Sequence, residues 1–220
     1  MTGVIILGGH RNTEFLKQRF KQYNKDNTCY IVADAGLETI KELNIVPDIV
    51  VGDFDTVNKD VLNEYKNGKT VIREFNPEKD FTDSEIALLT AIDNGADIIH
   101  IYGATGGRID HLMGNIALLA MGYDKNISVT IFDEYNKVSM IGNNTGKALL
   151  LKKDEYYNKY LSLIAYDSYA DIKNLEGVKY PLKNFRLIKD TTLGISNEIT
   201  ENEAVIDIEN GRLLAIWSRD

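Results

Sequence analysis

Ile98-Ile99-His100-Ile101-Tyr102 runs into Gly103-Ala104-Thr105-Gly106-Gly107, and Arg108-Ile109-Asp110-His111 then opens a stretch in which Ile109, Leu112, Met113, Ile116 and Leu119 recur at helical spacing. An apolar run too short for a helix, a glycine loop and an apolar helical face read as strand, turn and helix. Working outward, the same alternation appears on the N-terminal side. Val4 to Leu7 precedes a helical pattern over Thr13 to Tyr23, Cys29 to Ala33 precedes Leu37 to Leu43, and Ile49 to Val51 precedes a short helix over Lys59 to Tyr65. Val71 to Phe75 is a further strand, and Thr82-Asp83-Ser84-Glu85 has capping-box spacing ahead of a helix from Asp83 to Asn94 that stops at Gly95. Val129 to Phe132 closes the series. Strands separated by helical crossovers imply an α/β fold, a mostly parallel sheet with helices on both faces in three layers.

Beyond residue 135 the period changes to short apolar stretches between Asn, Gly and Lys clusters, which reads as an all-β, sandwich-like region. Its clearest piece is Ala204 to Ile208, Asn210-Gly211 and Arg212 to Trp217, where Asn-Gly has the chemistry of a two-residue hairpin turn. Trp217 lies on one face with Leu213 and Ala215, as a core residue would. The reading is therefore two domains, 1–135 and 136–220.

Composition narrows the function classes. Of 220 residues, 44% are hydrophobic and 26% charged, as in a folded globular chain. Twenty-five Lys and Arg against 33 Asp and Glu give a formal net charge of −8, which excludes a global basic field for nucleic acid. Cys29 is the one cysteine, so neither an intrachain disulfide nor a cysteine metal cluster can form. The apolar run near the N-terminus is too short for a secretory segment, and nowhere do about 18 apolar residues follow one another. A cytoplasmic protein away from membranes is expected.

Three segments carry candidate chemistry. Pro47 to Gly52 leads an apolar strand into Asp53-Phe54-Asp55, whose two carboxylates share a face if the backbone is extended. Like charges so placed are relieved by a shared cation such as Mg²⁺, although a solvated turn capped by Asp explains the pair as well. Asp80 and Asp83 flank Thr82 at a helix start, where capping and the helix dipole are sufficient reasons for both. Gly103 to Gly107 offers backbone amides to a phosphate, and Arg108 opposes the helix dipole unless it meets an anion, either a phosphate or Asp110. The chain has no dinucleotide fingerprint and no P-loop. His10, His100 and His111 show no metal-ligand spacing, which argues against zinc.

Taken in order, Ala33-Asp34-Ala35-Gly36, Pro47-Asp48 through Gly52-Asp53-Phe54-Asp55, Lys79-Asp80-Phe81-Thr82-Asp83, Gly106-Gly107-Arg108-Ile109-Asp110-His111 and Gly194-Ile195-Ser196-Asn197-Glu198 resemble thiamine pyrophosphokinases. The resemblance spans nearly the whole chain, with Ala35 where the family usually has Gly and Thr56 where Ser is usual. It implies transfer of a pyrophosphoryl group from ATP to thiamine, giving thiamine diphosphate and AMP, with Mg²⁺. It further implies that Asp53, Asp55, Asp80 and Asp83 hold the metal and orient ATP, that Arg108 clamps phosphate, and that Asp110 supports Arg108 or accepts the hydroxyl proton. By the same resemblance Gly8, Asp34, Gly36, Thr82, Gly106 and Gly107 join Arg108 at the ATP site, and Ser196 and Asn197 contact thiamine. The family pattern implies a homodimer with sites between subunits, and in some members a Trp near the C-terminus packs on the thiamine ring. Two rival readings share parts of this inventory: a Mg²⁺-dependent nucleotide pyrophosphohydrolase, and a thiamine-binding module without turnover.

Overall fold

The computed structural model describes residues 1–33, 36–54, 59–66, 68–75 and 81–220. Contacts divide the chain into two compact units, Met1–Glu134 and Tyr135–Asp220.

In the first unit, strands β1 (Thr2–Ile6), β2 (Thr28–Ala33), β3 (Ile49–Gly52), β4 (Val71–Glu74), β5 (Ile98–Tyr102) and β6 (Ser128–Phe132) lie in the order β4-β3-β2-β1-β5-β6. Every pairing among them is parallel. Between them run helices α1 (Thr13–Phe20), α2 (Gly36–Glu42), α3 (Lys59–Lys66), α4 (Asp83–Asp93) and α5 (Ile109–Asp124). Helix α2 packs beside α3 and α4 beside α5. Parallel strands covered on both faces need apolar side chains on both, and Val4, Ile5, Ile6, Ile31, Val32, Val50, Val51, Ile99 and Ile101 are all essentially inaccessible. The strands and helices fall where the sequence periods put them. Asn12 caps α1 by accepting the Phe15 N–H at 3.1 Å, and Thr82 caps α4 by accepting the Glu85 N–H at 3.2 Å.

Helix α5 departs from the sequence reading. Its buried face is Asn115, Leu118, Leu119, Ala120 and Gly122, whereas Ile109 and Met113, expected on the core face, are 75% and 61% exposed. The periodicity is present, but in the first turns its stripe is directed outward.

In the second unit, β7 (Asn136–Gly142), β13 (Arg212–Ser218) and β9 (Tyr160–Ala165) are antiparallel neighbours, and β11 (Leu182–Ile188), β10 (Tyr169–Glu176), β12 (Glu203–Asn210) and β8 (Leu149–Lys152) form another antiparallel sheet in that order. Ala204, Ile206 and Ile208 of β12 and Leu213, Ala215 and Trp217 of β13 are buried on alternate positions. Asn210-Gly211 does not make the expected hairpin, because β12 and β13 belong to different sheets and the dipeptide carries the chain from one to the other. Gly211, at φ +80°, is required there because a Cβ would lie 2.3 Å from the Tyr169 carbonyl oxygen. Trp217 settles in the core, its indole N–H donating to the Lys152 carbonyl at 3.2 Å and its ring covered by the Lys137 ammonium at 4.6 Å. Asp154 holds that ammonium at 3.1 Å.

Cys29 on β2 is half-buried, and burial, with the Asp48 carboxylate nearby, pushes its thiol up to about 11. Only the thiolate is nucleophilic, so a pKa near 11 in place of 9 cuts the reactive fraction at pH 8 on the order of 100-fold. Alkylation of the folded protein by iodoacetamide at pH 8 should be slower than that of the unfolded chain by about this factor. Equal rates would show that the strand does not shield the thiol.

Candidate active site

In an open parallel sheet, ligands bind beyond the carboxyl ends of the strands where the strand order reverses. Here the reversal falls between β1, which connects toward β2, and β5, which connects toward β6. The β1–β5 ladder continues past both strands, with the Leu7 N–H donating to the Tyr102 carbonyl, Gly9 to Gly103 and His10 to Thr105, each at 2.8 Å. The two glycine loops therefore lie against one another. A Cβ on Gly9 would come within 2.3 Å of the Gly103 carbonyl oxygen, so this approach excludes every side chain.

A cavity of about 570 Å³ opens above this junction. It is lined by Leu7, Gly8, Gly9 and His10 after β1, by Gly103, Ala104, Gly106, Gly107 and Arg108 after β5, by Asp83 and Ser84 in the first turn of α4, and by His111 and Asn115 of α5, with Ala33 at the end of β2. Gly103, Gly106 and Gly107 take φ of +69°, +79° and +76°, turning successive peptide groups as an anion-binding loop requires. The N-terminus of α5 faces the same space, adding the positive end of its dipole.

Arg108 sits at the N-cap of α5 and makes no capping bond. Its Nε and Nη2 grip both oxygens of Asp110, at 3.1 Å and 2.5 Å, and this pair answers the unfavourable position of a cation at a helix N-terminus. Both side chains remain exposed, 72% and 63%, so the pair is a solvated one. The Arg108 hydrogen bond, aided by the His111 backbone N–H, holds the Asp110 carboxyl down at about 2. So acidic a carboxylate is a weak base at neutral pH and is suited to orienting Arg108 rather than to taking a proton.

Of the acidic residues singled out in the sequence, Asp83 lines the cavity and Asp53 follows the end of β3, at the same edge of the sheet. Phe54, next to Asp53, is buried and has φ +59°, a backbone cost that directs the chain leaving β3. Asp34, Asp55 and Asp80 lie outside the described residues. Among the described residues, no three His, Cys, Asp or Glu side chains gather into a metal-binding group. The donor set itself is carboxylate oxygen, the chemistry of a hard cation such as Mg²⁺ rather than of zinc.

Gly8, Gly106, Gly107 and Arg108 from the expected ATP set line the cavity. Gly36 instead lets α2 pack against β1, a Cβ there falling 2.4 Å from the Ile6 carbonyl oxygen, and Thr82 caps α4. Sequence reasoning passed over Asn115, which is buried and donates to the Ala104 carbonyl at 2.9 Å, fixing the glycine loop to α5. Its signal was a polar residue on the apolar side of a helix, where polar groups need a partner.

In the second unit a cleft of about 410 Å³ is lined mainly by Leu163, Leu175, Leu182, Leu187, Leu193 and Ile195, with Tyr180, Gly194 and Asn197. Ser196 is exposed beside it, at φ +60°. Asn197 is buried and spends its amide on the backbone: Oδ1 accepts from Tyr180 N at 3.0 Å and Glu198 N at 2.9 Å, while Nδ2 donates to the Tyr180 carbonyl at 2.9 Å.

The chain matches two family models, "Thiamin pyrophosphokinase, catalytic domain" over residues 20–131 and "Thiamin pyrophosphokinase, vitamin B1 binding domain" over residues 148–213. It is 33% identical over 216 residues to the thiamine pyrophosphokinase of Bacillus subtilis, covering 98% of each chain. The crystal structure of the Bacillus subtilis thiamine pyrophosphokinase superposes with a TM-score of 0.86 at 31% identity over 100% of both chains. That of the Geobacillus thermodenitrificans enzyme does so at 0.84, also at 31% identity, covering 100% of this chain and 98% of the other. With its glycine loops, its Arg–Asp pair and both units matched, the chain belongs to the thiamine pyrophosphokinase family.

Proposed function

We propose that this chain transfers the pyrophosphoryl group of ATP to the hydroxyl of thiamine, releasing AMP. The observation that carries the reading is the cavity at the strand-order reversal, where glycine amides, a helix N-terminus and Arg108 converge on one space beside the carboxylate of Asp83. Donors of this kind recognise a phosphate chain, and phosphoryl-group transfer asks for positioning and charge neutralisation more than for a covalent nucleophile. The amides of the Gly103 to Gly107 loop would hold the phosphates. Arg108, steadied by Asp110, would meet the charge that grows on the transferred group. Asp53, Asp55, Asp80 and Asp83 would hold Mg²⁺, which when bound neutralises the phosphate chain and aligns it for in-line attack. The cleft in the second unit and the exposed Ser196 would receive thiamine, its apolar walls matching the acceptor's rings.

A homodimer with shared sites is the assembly we infer. Ile109 and Met113 support it: two large apolar side chains stand exposed on α5 beside Arg108, where a second subunit would cover them. Among the described residues no helix is long and apolar enough to cross a membrane, and one cysteine is at ease in a reducing cytoplasm.

Labelled ATP and single substitutions test these assignments. With γ-labelled ATP, label should enter thiamine diphosphate with AMP formed in equal amount, whereas ADP with thiamine monophosphate, or thiamine-independent release of pyrophosphate with AMP, would refute the transfer; Arg108→Ala should lower kcat far more than it weakens thiamine binding. Asp53→Asn should melt as the parent does and lose about 100-fold or more in turnover, while a loss of stability with activity falling in proportion would make Asp53 a turn residue only. Finally, Met113→Asp should shift the protein toward monomer in sedimentation.

A further inference from the structure

The turn that presents Ser196 is built with one residue too many for its partner strand. Leu161 N donates to the Asn197 carbonyl at 2.7 Å and Leu163 N donates to the Gly194 carbonyl at 2.8 Å. Between these two bonds Ser162 alone on β9 stands opposite Ile195 and Ser196, one residue against two, which is a β-bulge, the device that re-aims a side chain beside a binding site. The bulge puts Ser196 at φ +60°, uncommon for any residue but Gly. It also rotates the Ser196 N–H inward, away from any ladder carbonyl. That N–H is received by the hydroxyl of Ser162 at 3.0 Å. Ser162 lies on β9 between the two bonded leucines and is itself buried.

The neighbouring restraints all serve the same geometry. Gly194 has no room for a side chain, since a Cβ would stand 2.0 Å from the Leu163 carbonyl oxygen. Asn197, immediately after the bulge, binds both backbone groups of Tyr180 through its amide. The strained residue between these anchors is exposed, and its own side chain points out beside the apolar cleft. Ser162 is the one side chain that bonds to the bulged peptide from within the core among the described contacts.

We infer that Ser162 is a positioning residue for the acceptor: its buried hydroxyl fixes the Ser196 bulge and so sets where the Ser196 hydroxyl stands. The inference rests on the reading of Ser196 as a thiamine contact. It assigns Ser162 no contact with substrate and no part in the chemistry.

Ser162→Thr and Ser162→Val form a matched pair of nearly equal volume, one keeping the hydroxyl and one leaving the Ser196 N–H with no acceptor. The Val variant should raise KM for thiamine by about five- to tenfold, the scale of one buried hydrogen bond, with KM for ATP unchanged and kcat little altered. The Thr variant should stay near the parent. In a Ser196→Ala background the Val substitution should add little further, because the two residues act as one unit. A Val variant with the parent's KM for thiamine, or KM values for thiamine and ATP that rise together, or an effect equally large without the Ser196 hydroxyl, would overturn the role of Ser162. Ser196→Ala with an unchanged KM for thiamine would remove the acceptor reading itself. Melting curves of the Thr and Val proteins separate both results from misfolding, since the pair differs only in the polar atom.

Discussion

The site depends on the contact between two glycine loops at the carboxyl ends of β1 and β5. Gly9 and Gly103 approach so closely that the Gly9 N–H reaches the Gly103 carbonyl at 2.8 Å, and no side chain fits between them. Were either loop to carry a Cβ, the strands would have to part, and the cavity floor with them. This one backbone contact explains why the loop after β1 is glycine, why the loop after β5 begins with glycine, and why Asn115 reaches from α5 to the Ala104 carbonyl to hold the arrangement from the side.

Most of this frame was legible in the sequence, for identifiable reasons. Strand runs such as Val4 to Leu7 and Ile49 to Val51 are apolar on both faces because both faces are covered, and Thr82 announced α4 because few residues cap as Thr does. The failures were of another kind. Asn210-Gly211 has hairpin chemistry, but whether a turn folds a strand back within its sheet or carries it to another depends on partners distant in sequence. The outward stripe of α5 looks identical to an inward one in periodicity, since a helical period says that a face is apolar and not what covers it. The partner of Asn197 was equally out of reach, since its amide bonds the backbone of Tyr180, 17 residues away, which no local pattern announces.

The two units carry surfaces of contrasting chemistry. In the first, polarity is supplied by the backbone: glycine amides and a helix start make an anion site without raising the charge of a chain that is −8 overall. In the second, a largely leucine-lined cleft also carries Asn197 and Tyr180, whose amide and backbone groups are bonded to one another, and Ser196 is exposed beside it. Such a division suits a donor that is a polyanion and an acceptor that is a cation bearing aromatic rings. A site that relied on many lysines would bind the donor well but repel the acceptor.

The Arg108–Asp110 pair bears on the fate of the acceptor's proton. A carboxylate held at about 2 by its guanidinium partner is fully ionised through the neutral range, yet it binds a proton too weakly to draw one from an alcohol early in the reaction. Protonating it would also release Arg108, which on the proposed reading meets the growing negative charge. A loose transition state, in which the leaving group has largely departed before the nucleophile bonds, makes little demand for an early base, because the hydroxyl becomes acidic only as its oxygen bonds to phosphorus. On the proposed reading, then, Asp110 would stay anionic throughout and keep Arg108 in place, and the proton would leave late, to solvent or to phosphate oxygen.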